Sequence, residues 1–215
     1  VGYGLTEGSP LLAGGPHGDT TIRPGSAGKP VPRVEIRIDD PHPQTGIGEI
    51  LARGPNIMQG YLNDPEATRD TFTEDGWLRT GDLGLLDSGG NLHIKGRSKS
   101  MIVLSNGENV FPEAIEHKVN TYPFVMESMV IENRGLLEAW IYPDYEFIDG
   151  KTSGQNRTQR HQYIAEPFEE MRAEVNRQLS TSSRLARVLE RREPFTKTAT
   201  HKIKRYLYSA DNMHL

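Results

Sequence analysis

Between Trp77 and Glu116 the chain places a lone carboxylate at Asp82, a cationic turn at Arg97 and Lys99, a glycine loop around Gly107 and a helix start at Pro112. Two further segments carry chemistry: YGLTEG, Tyr3 to Gly8, and Lys202 within the basic run KTATHKIKRYLY. One carboxylate can accept both hydroxyls of a ribose. An aromatic ring beside a glycine can pack against a base, the Thr6 hydroxyl can donate to a phosphate, and Glu7 is a hard oxygen ligand of the kind Mg²⁺ takes. Each feature also has a plainer reading. YGLTEG would be a strand-to-turn connection, Asp82 a turn residue, and Arg97 and Lys99 solvated turn cations. Lys202 would then be one basic residue on a solvated face shared with Lys197, Lys204 and Arg205.

The elements that must hold these residues fall into two styles. From Arg33 to about Lys95 the pattern is mostly strand: Val34 to Ile38, Gly48 to Arg53, and a hairpin of Trp77 to Leu86 with Asn91 to Lys95, turning at Asp87 to Gly90. In this reading Asp82 follows a Thr-Gly turn and Leu83 to Leu86 is the buried strand. A short helix, Asp64 to Phe72, interrupts the strands, with Asp64 as N-cap and Pro65 in its first position. Beyond Lys99, Met101 to Leu104 is an apolar run. A helix from Pro112 buries Ile115 and Val119, and strands Ser128 to Glu132 and Leu136 to Tyr142 flank a turn at Asn133 to Gly135. A polar insert, Asp144 to Arg157, precedes helical spacing at Ile164, Phe168, Met171, Val175 and Leu179. Pro167 falls inside that spacing, and we expect the helix to restart there. A strand near Ala186 to Arg191 comes last. The fold class expected is α+β: a small β-barrel-like subdomain over residues 1–97, then a small α/β domain over residues 98–215.

Composition narrows the function. An apolar fraction of 35% is low for a single large core and favours two smaller units. A net charge of −4 gives no general reason to expect nucleic acid as a partner. The absence of cysteine excludes disulfides and thiolate chemistry and fits a reducing, cytoplasmic setting. No run approaches the ~20 apolar residues of a membrane span, and the first residues lack a signal-peptide pattern, so a soluble protein is expected. Gly28-Lys29 and Gly150-Lys151-Thr152 fail as phosphate loops, because Arg23 and Tyr145 stand where that motif needs glycine. The histidines at 17, 42, 93, 117, 161, 201 and 214 show no zinc-ligand spacing.

Taken together and in this order, YGLTEGSP, TGDLG, GRSKSMIVLSNGENVFPEAIE and KTATHKIKR resemble the motifs of the adenylate-forming superfamily, which includes acyl-CoA synthetases, luciferases and peptide-synthetase adenylation domains. The resemblance implies that Tyr3 and Gly4 form an adenine pocket, Thr6 contacts phosphate, Glu7 binds Mg²⁺ and Asp82 holds the ribose. It also implies that Arg97 approaches ribose or phosphate, that Lys99 is a hinge and that Gly107 lines the pantetheine tunnel. Lys202 would meet the acyl carboxylate and the α-phosphate. The domains would be the end of a large AMP-binding domain followed by a mobile C-terminal lid. His201 stands where many members have glycine, and with KIKRYLY it resembles bacterial long-chain fatty acid CoA ligases. Ser180 to Arg187 lacks the Leu-Pro-x-Tyr often seen there.

The implied activity joins a carboxylic acid to CoA through an acyl-adenylate, with ATP as co-substrate and AMP and pyrophosphate released. The implied phosphate loop and most of the acyl pocket would precede Val1, so this piece is expected not to adenylate alone. One rival is a ligase that delivers its adenylate to a carrier protein. Another is a non-catalytic module whose basic run, Arg184 to Arg205, docks an anionic membrane or nucleic acid. A peripheral membrane contact is compatible with the ligase reading as well.

Overall fold

The computed structural model describes residues 2–15, 18, 20, 22–151 and 157–209. The chain divides into two compact units, Val1–Lys99 and Ser100–Leu215.

The first unit is built on antiparallel sheets. Strands β1 (Tyr3–Gly4), β2 (Leu11–Gly14) and β3 (Lys29–Pro30) form one, in that order. Strands β4 (Glu35–Asp39), β5 (Gly48–Arg53), β6 (Leu78–Leu86) and β7 (Leu92–Arg97) form a second as an open meander. The barrel-like subdomain is thus a pair of open sheets, with no closed barrel among the described residues. Helix α1 (Pro65–Thr71) lies between β5 and β6. Its start follows the sequence signals: the Asp64 carboxylate accepts the Ala67 N–H at 2.9 Å, and Pro65, which has no N–H to satisfy, occupies the first turn. Leu12, Ile50, Leu51, Ala52, Leu78 and Leu92 are fully buried.

The expected Thr-Gly turn before Asp82 does not exist. Thr80, Gly81 and Asp82 lie inside β6, and Gly81 takes φ +70° within the strand. Only glycine adopts that conformation cheaply, and it allows the strand to continue where a turn was read from composition. Burial then alternates along β6, with Leu78, Thr80, Asp82 and Gly84 inward, while Leu83, Leu85 and Leu86 are only half-buried.

The second unit opens with a ribbon of β8 (Ile102–Val103) and β9 (Asn109–Val110), then α2 (Pro112–Val119). Strands β10 (Val125–Asn133) and β11 (Leu136–Pro143) pair antiparallel across a two-residue turn with Arg134 and Gly135 both at positive φ. Helix α3 (Tyr145–Lys151) occupies part of the expected polar insert, with the Asp144 carboxylate accepting the Phe147 N–H at 3.0 Å. Thr152 and the rest of the insert up to residue 156 lie outside the described residues. Helix α4 (Arg157–Arg177) then carries the chain back to β12 (Leu185–Glu190), which pairs parallel to β11.

Helix α4 runs unbroken through Pro167, contrary to the expected restart. A proline in a helix interior costs about 3 kcal/mol. Ile164, Phe168, Met171 and Val175 are all buried from this helix, and each is worth about 1.5–3 kcal/mol on burial, so packing outweighs the defect.

Strand periodicity gives the β10-β11-β12 sheet two covered faces. Val130, Ala139 and Ile141 face the core with α2 and α4. Met129 and Trp140 face the other way and are covered by Phe195, Ile203 and Tyr208. The segment that carries Lys202 is therefore the lid of the second face.

Candidate active site

Asp82 is the best-prepared polar side chain of the first unit, at 7% exposure. It faces Arg97 directly across the β6–β7 ladder, and its Oδ1 accepts the Arg97 Nε–H at 2.8 Å. The Tyr3 hydroxyl donates to Oδ2 at 2.6 Å, which brings β1 onto the same carboxylate. Thr80 fixes the backbone beneath: its hydroxyl donates to the Ile50 carbonyl at 2.7 Å and accepts the Asp82 N–H at 3.1 Å. Ser98 adds a bond from its hydroxyl to the Gly81 carbonyl at 3.1 Å. Burial first, and then the Asp82 carboxylate, push the Tyr3 phenol far above its ordinary pKa. Tyr3 therefore stays a donor at any physiological pH. A carboxylate offers about four acceptor positions, so two remain for a vicinal diol.

Gly4 is required by the backbone. A Cβ there would sit 1.7 Å from the Pro10 carbonyl oxygen, so β1 and β2 could not close with any other residue. Thr6 and Glu7 form a short 3-10 turn, Thr6–Gly8, with the Thr6 side exposed. Asn56 pins that turn, its Nδ2 donating to the Gly8 carbonyl at 2.6 Å and the Leu11 carbonyl at 3.0 Å. The Glu7 carboxylate is half-buried and accepts one bond, from the Tyr61 hydroxyl at 2.9 Å. This fits a Mg²⁺ ligand, because Mg²⁺ takes one or two protein carboxylates and fills its shell with water and phosphate oxygens. Among the described residues no three His, Cys, Asp or Glu side chains gather as a metal cage. His17, His214 and the His161 side chain lie outside the described residues.

Lys99 is exposed, belongs to the 3-10 turn Ser98–Ser100 and is the last residue of the first unit. Gly107, at φ +81°, closes the exposed β8–β9 loop by donating to the Leu104 carbonyl at 2.8 Å.

Lys202 stands on a tight loop in the second unit. The Thr198 N–H donates to the Lys202 carbonyl at 2.8 Å, and the Lys202 N–H returns a bond to the Thr198 hydroxyl at 3.2 Å. His201 takes φ +59°, the left-handed region that glycine occupies freely. Lys202 is exposed and has no ion-pair partner among the described residues. Its neighbours differ. Lys197 pairs with Glu127 at 2.6 Å, and Arg205 pairs with Glu116 at 2.8 Å. Arg187 pairs with the buried Glu138, and the Arg191 guanidinium lies 5.0 Å from the ring centroids of Phe195 and Tyr208. The uniform solvated basic face is thus absent. Within the run Arg184–Arg205, carboxylates of the same unit neutralise Arg187, Lys197 and Arg205.

Sequence reasoning passed over Asn56, Tyr61, Glu116 and Glu127. Asn56 and Tyr61 sit in an aperiodic stretch where no pattern marks them. Glu116 was legible, as the one charge on a helix face otherwise made by Pro112, Ile115 and Val119.

A profile of the AMP-binding enzyme family matches residues 1–62. A long-chain-fatty-acid–CoA ligase of Yersinia pestis is 46% identical over 134 residues, covering 60% of this chain and 23% of that protein. An indoleacetate–CoA ligase of Aromatoleum aromaticum is 42% identical over 133 residues, covering 60% and 26%. The chain thus spans about a quarter of the length of the curated relatives it matches. Among solved structures, O-succinylbenzoate coenzyme A synthetase of Bacillus subtilis in complex with ATP and magnesium superposes with a TM-score of 0.72 at 27% identity. That match covers 95% of this chain and 40% of the other.

Proposed function

We propose that this chain, whose residues 1–62 match the AMP-binding enzyme profile, supplies the ribose-binding carboxylate and the mobile lysine of an ATP-dependent acid–thiol ligase. The whole protein would convert a carboxylic acid and ATP to acyl-adenylate and pyrophosphate, then transfer the acyl group to CoA with release of AMP. The observation that carries this reading is the buried Asp82, held at both oxygens by Tyr3 and Arg97 with acceptor capacity to spare.

In the first half-reaction a carboxylate oxygen attacks the α-phosphorus and pyrophosphate leaves. Two anions must meet, so the residues are needed mainly for positioning and charge. Asp82 would accept the ribose hydroxyls while Tyr3 and Arg97 stop the carboxylate from turning away. Tyr3 and Gly4 would border the base, and Thr6 would donate to a phosphate oxygen. Glu7 would hold Mg²⁺, which when bound offsets charge on the phosphate oxygens. Lys202 would bring its ammonium to the acyl carboxylate and α-phosphate, a task suited to a compact charge on a long stem. The thioester step needs that charge withdrawn and a thiol path opened. Rotation about Lys99, with Gly107 then lining the path, would meet both needs.

The finer reading is a long-chain fatty acid as substrate. It is supported by the Yersinia pestis relative and by the ending KIKRYLY, while the indoleacetate ligase shows how far substrates diverge at similar identity. This chain alone would not turn over, since the phosphate loop and acyl pocket implied by the family are not among its motifs. The test is acid-dependent ATP–pyrophosphate exchange by the whole protein, using acids of increasing length and then CoA or a holo-carrier as acceptor. Exchange that peaks with long-chain acids and acyl transfer to CoA are expected. A peak with aromatic acids, or transfer only to the carrier, would overturn the finer reading. In the same protein, Lys202→Ala should lower exchange about 10²- to 10³-fold while sparing thioester formation from supplied acyl-adenylate.

A further inference from the structure

The loop that presents Lys202 is gripped at both feet by carboxylates of the second unit. On one side Glu127, its side chain 10% exposed, takes the Lys197 ammonium at 2.6 Å and the Phe195 N–H at 3.0 Å. Lys197 lies opposite Ile203 in an isolated antiparallel bridge, next to the Thr198–Lys202 closure. On the other side Arg205 makes a two-pronged contact with the Glu116 carboxylate at 2.8 and 2.9 Å and donates to the Val130 carbonyl at 3.0 Å. Glu116 in turn accepts the Val130 N–H at 2.6 Å. Glu127 and Val130 both belong to β10, so that strand is the base from which both feet of the loop are held.

Apolar packing holds the same segment. Phe195, Ile203 and Tyr208 already bury the segment against Met129 and Trp140, and a desolvated ion pair returns little net free energy over an apolar contact. What two such pairs flanking one exposed lysine do supply is a fixed register and direction. We propose that the Lys197–Glu127 and Arg205–Glu116 pairs are positioning devices for Lys202, setting where its ammonium can reach during adenylation.

The inference rests on the role given to Lys202, and the experiment separates the two. In the whole protein, Lys197→Met, Lys197→Arg, Glu127→Gln and Lys202→Ala are compared in acid-dependent ATP–pyrophosphate exchange, in thioester formation from supplied acyl-adenylate, and in urea midpoint. Lys197→Met leaves the mostly buried Glu127 with only the Phe195 N–H, so its urea midpoint is read beside its activity, and Glu127→Gln serves as the variant without an uncompensated buried carboxylate. Glu127→Gln keeps an acceptor for the Phe195 N–H. Both should lower kcat for exchange about 10- to 100-fold, the scale of a small misplacement of a reacting group. The KM for ATP and the thioester rate should stay within about twofold, and Lys197→Arg should recover most of the loss. Equal loss in both half-reactions, tracking the urea midpoint, would reduce the pairs to structural supports and overturn the inference. So would normal exchange in Lys197→Met beside a crippled Lys202→Ala. Normal exchange in Lys202→Ala would overturn the role of the lysine itself, and the inference with it.

Discussion

At Asp82 a carboxylate is held by a phenol and a guanidinium, and the two bonds differ in weight. Both end on the carboxylate and are charge-assisted, a class worth about 1.5–3 kcal/mol, but the Arg97 side chain is 54% exposed and solvent cuts its share, so the drier phenol bond weighs more. Asp82→Asn should therefore weaken AMP binding by the whole protein roughly 10- to 100-fold, and Tyr3→Phe by less, in calorimetric titrations. His201 offers a second test at this scale. An L-residue in the left-handed region costs about 1–2 kcal/mol, and glycine returns about 0.4–1 kcal/mol of that through a looser unfolded chain. His201→Gly should raise stability by a fraction of a kcal/mol up to about 1 kcal/mol, read from the urea midpoint. Residue types were legible in the sequence because each motif names its own chemistry. Partners such as Tyr3 for Asp82, or Glu116 for Arg205, were not, since nothing local ties side chains so far apart along the chain.

Elements fared best where local signals agreed. Asp64-Pro65 marked α1, the turn at Asn133 to Gly135 marked the β10–β11 hairpin, and the strand read over Gly48 to Arg53 is β5. Two misreadings came from punctuation residues whose usual meaning the fold overrides: Gly81 inside β6 and Pro167 inside α4. Pro167→Ala restores a helix donor, and the gain of up to about 3 kcal/mol should exceed the loss of the ring from the small cavity that Pro167 lines with Phe124, Phe147 and Phe168. A rise of at least about 1 kcal/mol in unfolding free energy is expected, and a fall would show that the proline is valued for packing. The β6–β7 turn carries a pH dependence. The Asp87 carboxylate accepts the Asn91 and Gly89 N–H groups at 2.9 and 2.8 Å and sits 3.2 Å from His93 Nε2. The Asn91 N–H chiefly, with help from His93 and against partial burial, holds its pKa well below the carboxylate range. A depressed carboxylate stabilises the fold above its unfolded pKa of about 4, and the contribution fades as pH falls below that. Asp87→Asn should flatten the acid limb of the urea midpoint against pH, and an unchanged limb would contradict the assignment.

For the whole molecule, the division at Lys99 follows from where the apolar residues went. One set of clusters is built on Leu12, Ala13, Val34, Ile50, Ala52 and Leu92, the other on α2, α4 and the β10–β12 sheet with its lid. Among the described residues each of these clusters draws on one unit, so each unit has its own reason to fold. The low apolar fraction hinted at this, because 35% supplies two modest cores more readily than one large one. Such independence is also what a pivot at Lys99 would need, since rotation must not expose a shared core. The consequence is thermal. Calorimetry of this chain should show two transitions rather than one cooperative event. Ile50→Ala opens a cavity at a fully buried site and should cost about 2–5 kcal/mol in the first unit alone. That lowers one transition by on the order of 10 °C or more and leaves the other in place. Met171→Ala, in α4, should do the converse. A single transition displaced by both substitutions would mean that the units unfold as one, and a rotation about Lys99 would then have to break a cooperative core.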